Sequence, residues 1–152
     1  MGIWLLLYRL LDGGYFLWRG IHKWYTPPQV WLVPRVNAAL PTTPLAPIIR
    51  QFIYPHLQVF SLTLGTVEAV AGAMMLANVG RRIAGWVLFT LNVIFLLTLG
   101  FKEPHDLGLN LFMALTNLMF ARIDPARVQY RARPASFAPG RAARLQRREG
   151  RL

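Results

Sequence analysis

Charged and titratable side chains interrupt the first long apolar stretch of this chain: Arg9, Asp12, Arg19, His22 and Lys23. A second apolar stretch carries Glu68 and a third carries Asn92. Such groups are costly where water is scarce, and they persist where they pair, relay protons or hold a polar ligand. Carboxylates give and take protons, while a guanidinium stays charged and its planar fork grips carboxylate-like oxygens in pairs. Spacing supports a shared location. Arg9, Gly13, Phe16, Gly20 and Lys23 follow one another at steps of 4, 3, 4 and 3, which places them on one helical stripe. Asp12 and Arg19, seven apart, face nearly the same way. The expected product is a buried network in which Asp12 and Glu68 are the acids, Arg9 and Arg19 the bases, with amides around them. That network either neutralises itself and fixes helix register, or faces a ligand, binding a quinone headgroup or passing a proton.

The elements that position these groups are long. Roughly 20 mostly apolar residues cross the ~30 Å hydrocarbon layer as a helix, and four segments qualify: about 3–25, 57–79, 83–101 and 105–121. Hydrophobic residues make up 55% of the 152 and charged residues 15%, a balance that soluble domains do not need. The fold class read from this pattern is all-α, an integral membrane four-helix bundle. In the second helix Ser61, Gly65, Ala69, Ala73 and Ala77 form a small-xxx-small ladder, flanked by Gly72, that admits a neighbouring helix closely. Glu68 lies at the edge of that ladder and is expected to point into the contact. With Gly13 and Gly20 on the first helix, these are the expected packing residues. The fourth helix contributes Asp106, Asn110 and Asn117 on one face.

Between the first two helices, residues 26–56 hold seven prolines, too many for a continuous helix or a central strand. With Trp31, Phe52 and Tyr54 this segment reads as an outer loop along the membrane interface. Trp4 and Trp86 are expected at the inner interface, Trp24, Tyr25 and Trp31 at the outer one. Basic residues decide orientation. One side collects Arg81, Arg82 and a tail with nine arginines from Arg122 onward; the other holds Lys23, Arg35, Arg50 and Lys102. Both termini are therefore expected in the cytoplasm, with residues 1–122 forming the membrane domain and 123–152 a basic tail. The N-terminal run lacks a basic leader and a cleavage site, so it is expected to stay in the mature protein.

The formal charge of +11 lies mostly in that tail. Arg127, Arg131, Arg133, Arg141, Arg144, Arg147 and Arg148 are the expected contacts with anionic lipid or an acidic partner. Nucleic acid is not an expected partner, because only Tyr130 and Phe137 are interleaved with these arginines. The chain has no cysteine, which excludes disulfides, thiolate metal sites, iron–sulfur ligation and thiol catalysis. His22, His56 and His105 are the candidate metal or haem ligands, all at outer helix ends. No pair has i, i+4 spacing, and no metal is expected there.

The polar stripe also carries a likeness. Arg9-Leu-Leu-Asp-Gly13-Gly-Tyr-Phe16-Leu-Trp-Arg-Gly20-Ile-His-Lys23 resembles the opening helix of the DoxX family, which has Arg, Gly, Phe, Gly and Lys in that order. Gly65-Thr-Val-Glu68-Ala-Val-Ala-Gly72, followed by Leu76, Gly80 and Arg82, is similar to its second helix. The resemblance spans roughly residues 8–121, and Arg9, Lys23 and Glu68 match the family pattern residue by residue. The family often follows its fourth helix with a Gly-Pro-Gly element and Leu-Asp, of which only Ile123-Asp124 stands here. The resemblance implies a multi-pass protein of the bacterial inner membrane, associated with redox systems such as thiosulfate:quinone oxidoreductase. The small size, the charged stripe of the first helix, the absence of redox ligands and the arginine tail lead to the expectation of an accessory, non-catalytic subunit of a respiratory or photosynthetic electron-transfer complex, packed against partner subunits and bordering a quinone site. Quinone is the candidate cofactor, and bound phospholipid is expected. Two alternatives stay open: a quinone-linked oxidoreductase subunit in which Glu68 or Asp12 handles protons and Arg19 holds an anionic oxygen, and a small transporter.

Overall fold

A computed structural model describes residues 3–99 and 104–123. Among them the chain is helical with no strand, in the order α1 (Ile3–Tyr25), α2 (Pro28–Trp31), α3 (Val33–Ala39), α4 (Ala46–Ile48), a π turn (Ile49–Ile53), a 3-10 turn (Tyr54–His56), α5 (Leu57–Ala77), α6 (Arg81–Leu99) and α7 (Pro104–Arg122). Among the described residues, two helices are long and apolar enough to cross a membrane: the helical run Ala46–Ala77, which ends in α5, and α6. The tail arginines (Arg127, Arg131, Arg133, Arg141, Arg144, Arg147 and Arg148) lie outside the described residues.

α1 is amphipathic in an inverted sense. Arg9, Asp12, Gly13, Phe16, Gly20 and Lys23 are its buried residues, while Trp4, Leu7, Leu11 and Trp18 are exposed. It packs along α5, and glycines set how close the two helices come. A Cβ on Gly20 would lie 2.4 Å from the Gly65 carbonyl and the Ala69 nitrogen, and one on Gly72 2.4 Å from the Leu17 nitrogen. Gly13 lies against Gly72 and Gly20 against Gly65, so the helices run antiparallel with backbone nearly touching backbone.

The ladder read on α5 is only partly used. Ser61, Gly65, Ala69 and Gly72 are buried, but Ala73 and Ala77 are exposed. At 3.6 residues per turn each step of four advances about 40° around the helix, so an unbroken i+4 ladder leaves the contact face within a few steps. The contact therefore continues through Gly72 and Met75, both buried.

α5 ends where Asn78 takes a left-handed φ of 58° and caps it; Gly80, also at φ 58°, turns the chain into α6. This starts α6 at Arg81, two residues before the start expected from hydropathy. α6 pairs with α7, again at a glycine: a Cβ on Gly85 would lie 2.8 Å from the Ala121 nitrogen. The main core takes residues from all four long helices, Phe16, Met75, Leu88 and Phe120 among them.

Residues 26–56 form short helices rather than an open loop. The prolines are accommodated at first turns, where the missing N–H has no intrahelical partner to lose: Pro28 in α2, Pro34 in α3 and Pro47 in α4. Pro55 stands inside the run that leads into α5, where its ring is incompatible with an ordinary α turn, and the helix there passes through the π and 3-10 turns. The segment has its own small core of Leu32, Val36 and Ile49. Thr43 ties it to the bundle by donating its hydroxyl to the Leu97 carbonyl at the end of α6, at 3.0 Å.

Candidate functional site

The polar groups of α1 sort into separate contacts instead of the single network expected. Lys23 donates to the Glu68 carboxylate, and both residues are buried, at 3% and 0% exposure. In an α-helix, side chains lean toward the N-terminus; on antiparallel helices that tilt brings Lys23 and Glu68 toward each other. The other oxygen of Glu68, Oε1, is buried with no donor among the described residues, as is the Ser61 hydroxyl on α5.

Asp12, about three turns from Lys23 along α1, accepts instead from Asn117 of α7 at 3.2 Å, while the same amide also donates to the Met113 carbonyl at 2.9 Å. Arg9 is buried at 8% exposure, and its Nε has no acceptor among the described residues. Asn92 is fully enclosed and donates to the Leu88 carbonyl at 2.7 Å. Neither expected guanidinium–carboxylate pair forms among the described residues: Glu68 is met by Lys23, and Asp12 by an amide.

Arg19 turns the other way. Its guanidinium donates to the Tyr15 hydroxyl at 3.2 Å and lies over the rings of Tyr15 and Phe95, each at 5.4 Å. There it helps line a chamber of about 310 Å3 bounded by α1, the 26–56 segment, the end of α6 and the start of α7. Lys23, Arg35 and Asp106 supply its charges; Trp18, Trp31, His22 and His105 supply much of the rest of its wall. The Lys23 ammonium sits 4.9 Å above the Trp31 ring, a cation–π contact added to its ion pair. His22 stacks on Trp18 at 5.4 Å and shares a hydrogen bond with Thr26 at 3.0 Å. His105 approaches Asp106 at 3.5 Å where both are open to solvent.

Two of the three histidines, His22 and His105, thus share the chamber, and His56 does not line it. Among the described residues no group of three His, Asp or Glu side chains is arranged to hold a metal ion. Sequence reasoning missed the role of Arg35 and gave Trp31 only a general interfacial one. The missed signal is the Thr26-Pro27-Pro28 break after α1, beyond which α2 packs on α5 and α3 on α6, with Trp31 set against Lys23.

Beside the chamber lies an apolar groove of about 340 Å3, walled by residues such as Leu32, Val36, Ile49, Phe60, Leu64 and Ile94. The two spaces share Arg19, Trp31, Arg35, Phe95 and Leu99. A third, apolar hollow of about 450 Å3 lies between α1 and α7 near Trp4, Tyr8 and Phe112.

Comparison with family models, curated proteins and solved structures gives no match to this chain. Its chemistry accordingly follows from its own residues. A carboxylate with one free oxygen beside an ammonium can hold or pass a proton, and three cations around an aromatic chamber favour an oxygen-rich or anionic guest.

Proposed function

We propose that the protein is an integral four-helix membrane subunit, with both termini in the cytoplasm of a bacterial cell, that serves a larger electron-transfer assembly without catalysing its reaction. One observation carries this reading: α1 buries Arg9, Asp12 and Lys23 while exposing Trp4, Leu7, Leu11 and Trp18. A helix with its charges inside and its large apolar side chains outside suits a surrounding of lipid or partner helices, not water. α5 and α6 are apolar enough to span by themselves. α1 and α7, at 23 and 19 residues, extend about 35 and about 29 Å at 1.5 Å per residue; α1 packs on α5 and α7 on α6, with Arg9, Asp12 and Lys23 of α1 and Thr116 and Asn117 of α7 buried. The orientation rests on the basic residues beside α6 and in the tail.

The accessory role is supported by how the charges are used. Lys23–Glu68 and Asp12–Asn117 join α1 to α5 and to α7, which is what a scaffold needs. The link to electron transfer, and to a quinone site bordered by this subunit, comes from the likeness of the Arg9–Lys23 stripe and the Glu68 segment to the DoxX family. Gentle extraction of the tagged protein from its own membranes, followed by native mass spectrometry, tests the reading. Redox subunits should co-purify in fixed proportion; a lone homo-oligomer in native membranes refutes it.

A second reading has its own support. Lys23 lines the chamber as well as pairing with Glu68, an arrangement suited to proton exchange with a quinone head placed there. In that case Glu68→Gln leaves the fold intact and abolishes quinone-linked turnover. Unchanged turnover and quinone content eliminate this version.

A further inference from the structure

The chamber and the groove beside it have the form of a head site joined to a tail site. We infer that together they hold one anionic phospholipid, its phosphate between Arg19 and Arg35 and an acyl chain along the groove. The inference rests on the membrane-embedded reading above, and on three features of the site.

The first is charge. Among the described residues, Arg19, Lys23 and Arg35 face the chamber with Asp106 as the one carboxylate, and Lys23 is already matched by Glu68. Neither Arg19 nor Arg35 forms an ion pair among the described residues, so two guanidiniums remain for a phosphate, which they grip bidentately. The second is an unmet donor. The indole N–H of Trp31 is buried with no acceptor among the described residues, and Trp31 belongs to the wall common to both spaces. Buried donors are normally satisfied, so this N–H adds an unpaired donor beside the two guanidiniums. The third is continuity. Arg19 and Arg35 line both spaces, and Arg19 is held in place over Phe95 and Tyr15. A phosphate at the junction therefore has aliphatic walls within reach of its own chains: Leu32, Val36, Ile49 and Leu64. Neither a free anion nor a neutral hydrocarbon would use both spaces.

The test uses full-length protein, delipidated in detergent and titrated with dioleoyl-phosphatidylglycerol or dioleoyl-phosphatidylcholine under native mass spectrometry. The wild type should bind one phosphatidylglycerol at least about tenfold more tightly than phosphatidylcholine. Arg19→Gln/Arg35→Gln should bring that ratio close to one, whereas Arg50→Gln, which removes an arginine outside both spaces, should preserve it. Thr98→Trp, which fills the groove, should weaken both lipids without altering the charge. Circular dichroism and thermal unfolding of each variant show that the helices persist. Equal binding of the two lipids by the wild type overturns the proposal. So does loss of selectivity in Arg50→Gln to the same extent as in the double variant, and so does a retained ligand that proves to be quinone. Recovery of the protein from the soluble fraction of cells instead refutes the membrane reading itself, so the two failures are told apart.

Discussion

At the residue scale the decisive contact is Lys23–Glu68, a full charge pair with essentially no exposure. Taking two charges out of water is expensive, and their attraction repays that cost only while both are present. Lys23→Met alone should therefore destabilise the detergent-solubilised protein by about 3–5 kcal/mol, because it strands a buried carboxylate. Lys23→Met/Glu68→Met should be neutral or more stable than either single variant, as unfolding in mixed detergent would measure. A double variant as damaged as the singles would assign the pair another role. The participants were legible in the sequence, since a 3.6-residue period puts Lys23 on the Arg9 stripe. The pairing was not, because it depends on the antiparallel register and on the tilt of both side chains, neither of which a single sequence records. Arg9 and Arg19 looked equally suited to Glu68, yet Arg19 lies over Phe95 of α6, a partner far along the chain.

At the scale of elements, glycine decides how the helices meet. Gly20→Ala should separate α1 from α5, because its Cβ would fall 2.4 Å from backbone atoms that cannot swing aside; overpacking of this kind costs about 1–3 kcal/mol. Gly14→Ala, on the same helix, meets nothing within 4 Å and should stabilise α1 by up to about 1 kcal/mol. Thermal unfolding of the two variants side by side checks the contrast, and similar effects would show that the tight face has been misplaced. At the α5–α6 turn, Gly80 holds φ 58°, so Gly80→Ala should cost about 1–2 kcal/mol in the same assay. The small residues of α5 were readable as a contact surface, but the i+4 ladder ran on to Ala73 and Ala77, which helix geometry carries out to the surface. Proline content misled in a similar way over residues 26–56. Seven prolines forbid one regular helix, but not several short ones that carry Pro28, Pro34 and Pro47 in their first turns.

At the scale of the molecule, a four-helix membrane bundle requires α1 and α7 to cross despite their charges. Among the described residues hydropathy selects the α5 and α6 segments, while α1 carries Arg9, Asp12, Arg19 and Lys23 among its apolar residues. Burial favours α1 all the same: most of its charged groups are turned inward, and the face left outside is rich in large apolar side chains. The chain has no cysteine, so Ile3→Cys, Tyr25→Cys, Val79→Cys and His105→Cys can be introduced one at a time, all at exposed positions, and treated in intact cells with a membrane-impermeant maleimide. Tyr25→Cys and His105→Cys should react directly, while Ile3→Cys and Val79→Cys should react only after the membrane is opened. Labelling of Ile3→Cys and Tyr25→Cys from the same side would mean that α1 does not cross, and would contradict the four-helix architecture.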